Sequence, residues 1–213
     1  MADTEAGEMQ DPTEDVPMRK VVVSEFVSLD GVMEDPGWTF QFGSEEQEKY
    51  KFAELAASDA LLLGRVTYEG FATAWPDMMN RYEGPRRAEL GEYADMMNGY
   101  PKYVVSTTLE EPLGWNNSTL IRGNAAEEVS ELKRQPGKDV LVFGSADLVN
   151  ALMRHDLVDE LRLMVFPIVV GSGKRLFEDG LEETVLRLVD TTIFGSGVVV
   201  LTYRPARDEG ENR

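Results

Sequence analysis

The chain contains no cysteine, which excludes disulfides and thiolate metal sites and favours a cytoplasmic home. Histidine occurs once, at His155, so the imidazole-and-thiolate set of a transition-metal site is missing. That histidine falls near the end of a predicted helix, where its charge complements the helix dipole. Nowhere does the sequence approach the roughly 18 consecutive apolar residues that a spanning helix needs. The opening stretch, MADTEAGEMQDPTEDVP, lacks the basic-then-apolar layout of a secretory leader.

Positive charge is scarce. Twenty-one basic residues face 39 acidic ones, for a formal charge of −18. Six acids and no base lie in residues 1–16, and residues 208–213 add a net two acids, which leaves −10 for residues 17–207. A field of that sign repels nucleic acid and anionic lipid and argues against a basic binding groove. Arginines outnumber lysines, 14 to 7, and acid excess with few lysines fits either salt adaptation or ordinary solubility charge. Internal repeats are absent, and so is the G-x-G-x-x-G fingerprint of ordinary dinucleotide folds.

What is present suits one globular domain. The 213 residues are 42% hydrophobic and 28% charged, enough to bury a substantial core. The reading is a solvated acidic tail at 1–17, a folded domain at 18–206 and a flexible tail at 207–213. The pattern predicts strands at Lys20–Phe26, Ala60–Leu63, 101–109, 118–124, 138–145 and 160–173. Helices are predicted within 43–58, from Arg65 through Phe71, within 76–99, at 124–135 and at 146–159. A strand pair closes the fold around Gly195-Ser196-Gly197, and Pro167, late in its strand, implies an edge or a bulge. Strands alternating with helices and followed by a hairpin give an α/β class with a mostly parallel sheet.

Three strand ends carry chemistry. "LLLGRVT", "YVVSTT" and "VLVFGSADL" each leave an apolar run for small, hydroxylated or cationic residues. Ligands of open parallel sheets bind outside the carboxyl ends of the strands. Gly64 permits close backbone approach, and Gly144, Ser145 and Ala146 at a helix start suit a pyrophosphate. Arg65 offers a planar fork of donors to a terminal phosphate, and Ser106 and Thr107 offer hydroxyls to the same group. Taken singly, each has a plain alternative as a turn, a cap or a surface charge.

The pieces "SLDG", "LLLGRVTYEGF", "KYVVSTTL", "VLVFGSADLVNALMRHDLVDELRL" and "PIVVGSGKRLF", in this order from about Arg19 to Pro205, resemble the dihydrofolate reductase-like superfamily. The resemblance is closest to the branch holding the reductase domain of riboflavin biosynthesis. It implies a three-layer fold with a mixed central sheet and a C-terminal antiparallel hairpin. The implied cofactor is NADPH. Arg65, Ser106 and Thr107 would hold its 2′-phosphate, and Thr67 with Gly144, Ser145, Ala146, Asp147 and Leu148 its pyrophosphate. Asp30, in the SLDG turn, falls near the nicotinamide pocket of relatives. Glu48 falls roughly where dihydrofolate reductases place a pterin-binding carboxylate, or is simply a helix-start acid. These two are the catalytic candidates. A homodimer is also implied.

The departures bear on substrate. Riboflavin-pathway reductases typically read SLDGK, whereas Val32 follows here, and they tend to show Gly-Gly where this chain has Gly144-Ser145. Missing that lysine weakens a phosphoribosyl substrate. Trp38 and Phe40 either line a flat-ring pocket or belong to the core. The resemblance thus implies an NADPH-dependent oxidoreductase, acting on a pterin or dihydrofolate, or on 5-amino-6-(5-phosphoribosylamino)uracil. The alternatives are an NADPH-binding sensor or scaffold without efficient turnover and an interaction protein that reuses the fold.

Overall fold

Val21–Ser28 (β1) is buried along nearly its whole length because it pairs in parallel with a strand on each side and has helices on both faces. The structure, a computed structural model, describes residues 18–78 and 84–206. The expected tails at 1–17 and 207–213, and residues 79–83 of the predicted 76–99 helical segment, lie outside the described residues. After β1 come a 3₁₀ turn, Pro36–Phe42, then α1 (Glu45–Ala56), β2 (Ser58–Gly64), α2 (Arg65–Ala74) and α3 (Gly84–Gly99). There follow β3 (Lys102–Val105), β4 (Ser118–Ile121), α4 (Ala125–Arg134), β5 (Asp139–Val142), α5 (Ala146–Arg154), β6 (Glu160–Phe166), β7 (Leu186–Ile193) and β8 (Val199–Pro205).

One eight-stranded sheet runs β4-β3-β2-β5-β1-β6-β8-β7. Strands β1 to β6 are mutually parallel, β8 is antiparallel to β6, and β7 to β8. The alternation of side chains along each strand divides the core between two faces. Val22, Leu61, Leu63 and Leu141 pack on Leu55 of α1, Tyr68 of α2 and Met97 of α3. Val21, Val23, Leu62 and Val142 pack on Val129 and Leu132 of α4 and on Val149 and Leu152 of α5. The result is the three-layer α/β fold with a C-terminal antiparallel hairpin.

A third cluster surrounds Phe166, whose ring meets Phe26 at 5.3 Å, Trp38 at 5.5 Å and Phe42 at 5.9 Å. It fastens the 3₁₀ turn to the sheet. The expectation of an edge or bulge at Pro167 needs correction. Strand β6 lies inside the sheet and stops at Phe166, because proline has no N–H for the next rung. Beyond it a tight turn places the Ile168 N–H on Phe166 O at 2.8 Å, and the Leu29 N–H donates to Ile168 O at 2.8 Å.

Adjacent strands β2 and β5 send their helices to opposite faces, α2 to the layer of α1 and α3, and α5 to that of α4. Connections that part in this way leave a crevice between the carboxyl ends of the two strands.

Candidate functional site

The crevice is closed at its base by backbone. The Gly64 N–H donates to Gly144 O at 2.9 Å, and a Cβ built on Gly64 would stand 2.9 Å from the Ser145 nitrogen. No side chain fits there, which is why β2 must end in glycine. Gly144 has φ 91°, in the left-handed region, and precedes a cis peptide to Ser145. A Cβ on Gly144 would lie 3.0 Å from Thr67 Oγ1, 3.4 Å from Glu25 Oε1 and 3.5 Å from Met33 Cε. Thr67, Glu25 and Met33, from three separate segments, thus converge on one glycine.

Two helices begin here, with Gly64 as the N-cap of α2 and Ser145 as the N-cap of α5. Neither cap residue supplies a side-chain acceptor to the first-turn amides. Elsewhere such caps are made: Ser44 accepts from the Gln47 N–H at 3.2 Å, and Asn124 from the Glu127 N–H at 3.4 Å. Helix α2 also has no acid in its first turn. The one acid in the first turn of α5, Asp147, is ion-paired with Lys174. Two positive helix ends therefore face one crevice with amides available to an anion.

Among the residues expected to bind cofactor, Gly64, Thr67, Gly144 and Ser145 come together at this point. Ala146 and Leu148 are buried and contribute backbone only, the Leu148 side chain being part of the core. Arg65 opens α2 with its guanidinium 2.8 Å from Glu69, in an exposed i,i+4 pair. Ser106 is buried at the end of β3, where its Oγ accepts from the Thr108 and Leu109 amides at 3.1 Å each. Thr107 is exposed.

Asp30 acts as a clamp. Its carboxylate accepts from Ser28 Oγ at 2.7 Å and from the Val170 and Gly171 amides at 3.0 and 2.8 Å, tying the SLDG turn to the loop after β6. Those donors, Ser28 foremost, hold its pKa down at about 2, so it stays ionised at neutral pH. Glu48 is exposed on the first turn of α1. Trp38 is half-buried against Phe166, with its indole N–H on Glu34 O at 3.1 Å, whereas Phe40 is 86% exposed. Val32, next after the SLDG turn, is buried and forms a bridge with Arg175.

The residue that sequence reasoning missed is Glu25. It is buried in β1, and its Oε1 has no hydrogen-bond partner among the described residues. The nearby cation, Lys51, is spent on Glu54 at 2.5 Å and Ser24 at 2.7 Å, and lies 4.4 Å from the centre of the Phe143 ring. Burial pushes the Glu25 pKa up to about 8, against the pull of Lys51 and with added repulsion from Glu54. The signal was an acid inside "VVVSEFV", a strand otherwise apolar enough for the middle of a sheet.

Glu54 continues into a second polar region, a cleft of about 470 Å³ between α1 and the β6–β8–β7 end of the sheet. Its arginines are taken up by its glutamates: Arg162 reaches Glu160 at 2.7 Å and Glu54 at 3.5 Å, and Arg204 reaches Glu160 at 2.9 Å. The crevice at Gly144 differs in having amide donors and a buried acid whose Oε1 has no hydrogen-bond partner among the described residues. Backbone approach, paired helix starts and the Thr67 hydroxyl fit the pyrophosphate of a dinucleotide.

Comparison with known proteins bears on this geometry. Residues 19–200 match the family described as the RibD C-terminal domain. The uncharacterised Bacillus subtilis (strain 168) protein YyaP is 31% identical over 191 residues, spanning 90% of this chain and 97% of its own. Among solved structures, the Saccharomyces cerevisiae riboflavin biosynthesis reductase Rib7 superposes with a TM-score of 0.56 at 20% identity, over 91% of this chain and 93% of its own. Enterococcus faecalis dihydrofolate reductase complexed with NADP(H) superposes with a TM-score of 0.50 at 14% identity, over 88% and 97%. At those identities the two structures establish the fold alone.

Proposed function

This chain belongs to the RibD C-terminal domain family, and from that premise we propose that it is an NADPH-dependent reductase of a flat, conjugated heterocycle of pterin or pyrimidine type. The observation that carries the proposal is the meeting of two helix N-termini at Gly64 and Ser145, where neither cap residue takes up the first-turn amides. A pyrophosphate at this point would receive those amides and the Thr67 hydroxyl. Arg65, with Ser106 and Thr107, would take the 2′-phosphate. The exposed Arg65–Glu69 pair is worth only about 0.3–0.5 kcal/mol, so a phosphate with more charge readily draws the guanidinium away.

Bound NADPH would supply hydride from its nicotinamide ring. The chain's own part is to hold the dinucleotide at Gly144, to shape the pocket with Met33 and the aromatic segment 38–42, and to control the proton. A second reading, a dinucleotide-binding protein without efficient turnover, is favoured by one observation: the proposed catalytic carboxylate Asp30 is already engaged by three donors.

Titration with NADPH and, separately, NADH, followed by nicotinamide fluorescence, tests the cofactor. Preference for NADPH is the expected result. Dihydrofolate and 5-amino-6-(5-phosphoribosylamino)uracil are then added, and NADPH oxidation is followed. Tight NADPH binding with no oxidation by either probe would favour the second reading, and no binding of either nucleotide would overturn both.

A further inference from the structure

An acid whose nearby cation is engaged elsewhere stands beside Gly144. Glu25 is 5% exposed, and its buried Oε1, without a hydrogen-bond partner among the described residues, packs against Gly144, 3.4 Å from where a Cβ there would stand, beside Thr67 Oγ1 and Met33 Cε. Two charged groups act on it, both from α1. Lys51 is already engaged by Glu54 and Ser24, and Glu54 repels. A buried carboxyl left in this state takes the neutral form, and with its pKa pushed up to about 8 it carries a proton at neutral pH.

Reducing an electron-poor double bond takes a proton as well as a hydride. Asp30, held near 2, has none to give at neutral pH. His155 caps the far end of α5, ~14 Å of helix away from Gly144 at 1.5 Å per residue. Glu48 is exposed on the first turn of α1.

We infer that Glu25 is the proton donor of this site, an inference that rests on the reductase reading above. The acceptor's C=N or C=C bond receives hydride at one carbon, and the bond's electron pair moves to the neighbouring atom. That atom takes the Glu25 carboxyl proton, and the carboxylate regains a proton from water. The nicotinamide is the species oxidised and the heterocycle the species reduced, so charge and atoms balance. A neutral carboxyl also suits a crevice built for phosphates, because a carboxylate there would repel the ligand.

The test uses NADPH as its probe. Wild-type chain and Glu25→Gln are titrated from about one pH unit below to two above the pKa of about 8. Wild-type affinity is expected to be flat on the acid side and to fall about tenfold per unit once Glu25 ionises beside the anionic dinucleotide. Glu25→Gln is expected to bind NADPH across the range without that break. An infrared difference spectrum of the two NADPH complexes at neutral pH should show the carbonyl stretch of a protonated carboxyl, present only in the wild type. With any acceptor that oxidises NADPH, the variant should lose roughly 10²–10⁴-fold in turnover while keeping its NADPH affinity.

A wild type that binds NADPH with no break, or whose spectrum shows an ionised carboxylate, overturns the Glu25 assignment and leaves the cofactor reading standing. A variant with undiminished turnover does the same. A wild type that binds NADPH at no pH overturns the cofactor reading, and the Glu25 assignment falls with it. The wild-type titration suffices even if the variant does not fold.

Discussion

Glu25 shows at the residue scale how a buried acid trades stability for chemistry. Its folded pKa of about 8 exceeds the ordinary 4.5, so the folded chain binds the proton more tightly than the unfolded one. Stability is therefore full below about 4.5 and falls as pH rises, with the loss complete above about 8. At 1.36 kcal/mol per unit, the loss is on the order of 5 kcal/mol. Glu25→Gln should flatten that decline and make the protein more stable than wild type in alkali, as measured by denaturant unfolding across this pH range. An unchanged slope would show that the carboxyl finds a partner in the folded state. Arg65 allows a separate prediction. Arg65→Ala should lose most of its preference for NADPH over NADH, with little change in melting temperature, because its pair with Glu69 is exposed. Unchanged preference would remove Arg65 from the 2′-phosphate site.

Helix ends tell two kinds of N-terminus apart at the element scale. Helices α1 and α4 are capped by Ser44 and Asn124, and Ser44→Ala or Asn124→Ala should each cost about 1 kcal/mol. Ser145 caps α5 without a side-chain hydrogen bond. Ser145→Ala should therefore change stability by less than about 0.5 kcal/mol yet weaken NADPH binding, which unfolding curves and fluorescence titration on the same samples would separate. Equal stability costs at all three positions would mean that Ser145 is an ordinary cap. Most elements were legible in the chain because their apolar periods are clean: β1, β2 and the terminal hairpin lie within two residues of expectation, and β5 within three. Strand β6 was overextended through Pro167. Ile168, Val169 and Val170 continue the apolar run past the proline, and only the sheet shows that the missing N–H ends the strand there.

At the scale of the whole molecule, β7 is an edge strand with its residues largely open on both faces, including Leu188 at 50%, Val189 at 38% and Ile193 at 71% exposure. Exposed apolar residues gathered on one edge mark an interaction surface, and a second copy is the expected occupant. Sedimentation should give a dimer, and Leu188→Asp combined with Ile193→Asp should shift it to monomer. A monomeric wild type would refute that expectation. With a net charge of −18, such a dimer should strengthen as added salt screens repulsion.

The sequence by itself determined the class of fold, the parallel order of alternating strands and helices, and the glycines at the strand ends. These follow from local periods and from the steric freedom of glycine, which need no knowledge of distant neighbours. It could also name Arg65, Thr67 and Ser145 as donors, since their place after a strand is a local property. Tertiary structure alone decided which donors meet. Gly64 and Ser145 are 81 residues apart in the numbering and touch because β5 inserts between β1 and β2. The same insertion buries Glu25 beside Gly144 while Lys51 is drawn to Glu54. Whether an acid is charged depends on what surrounds it, and for Glu25 those surroundings come from segments far along the chain.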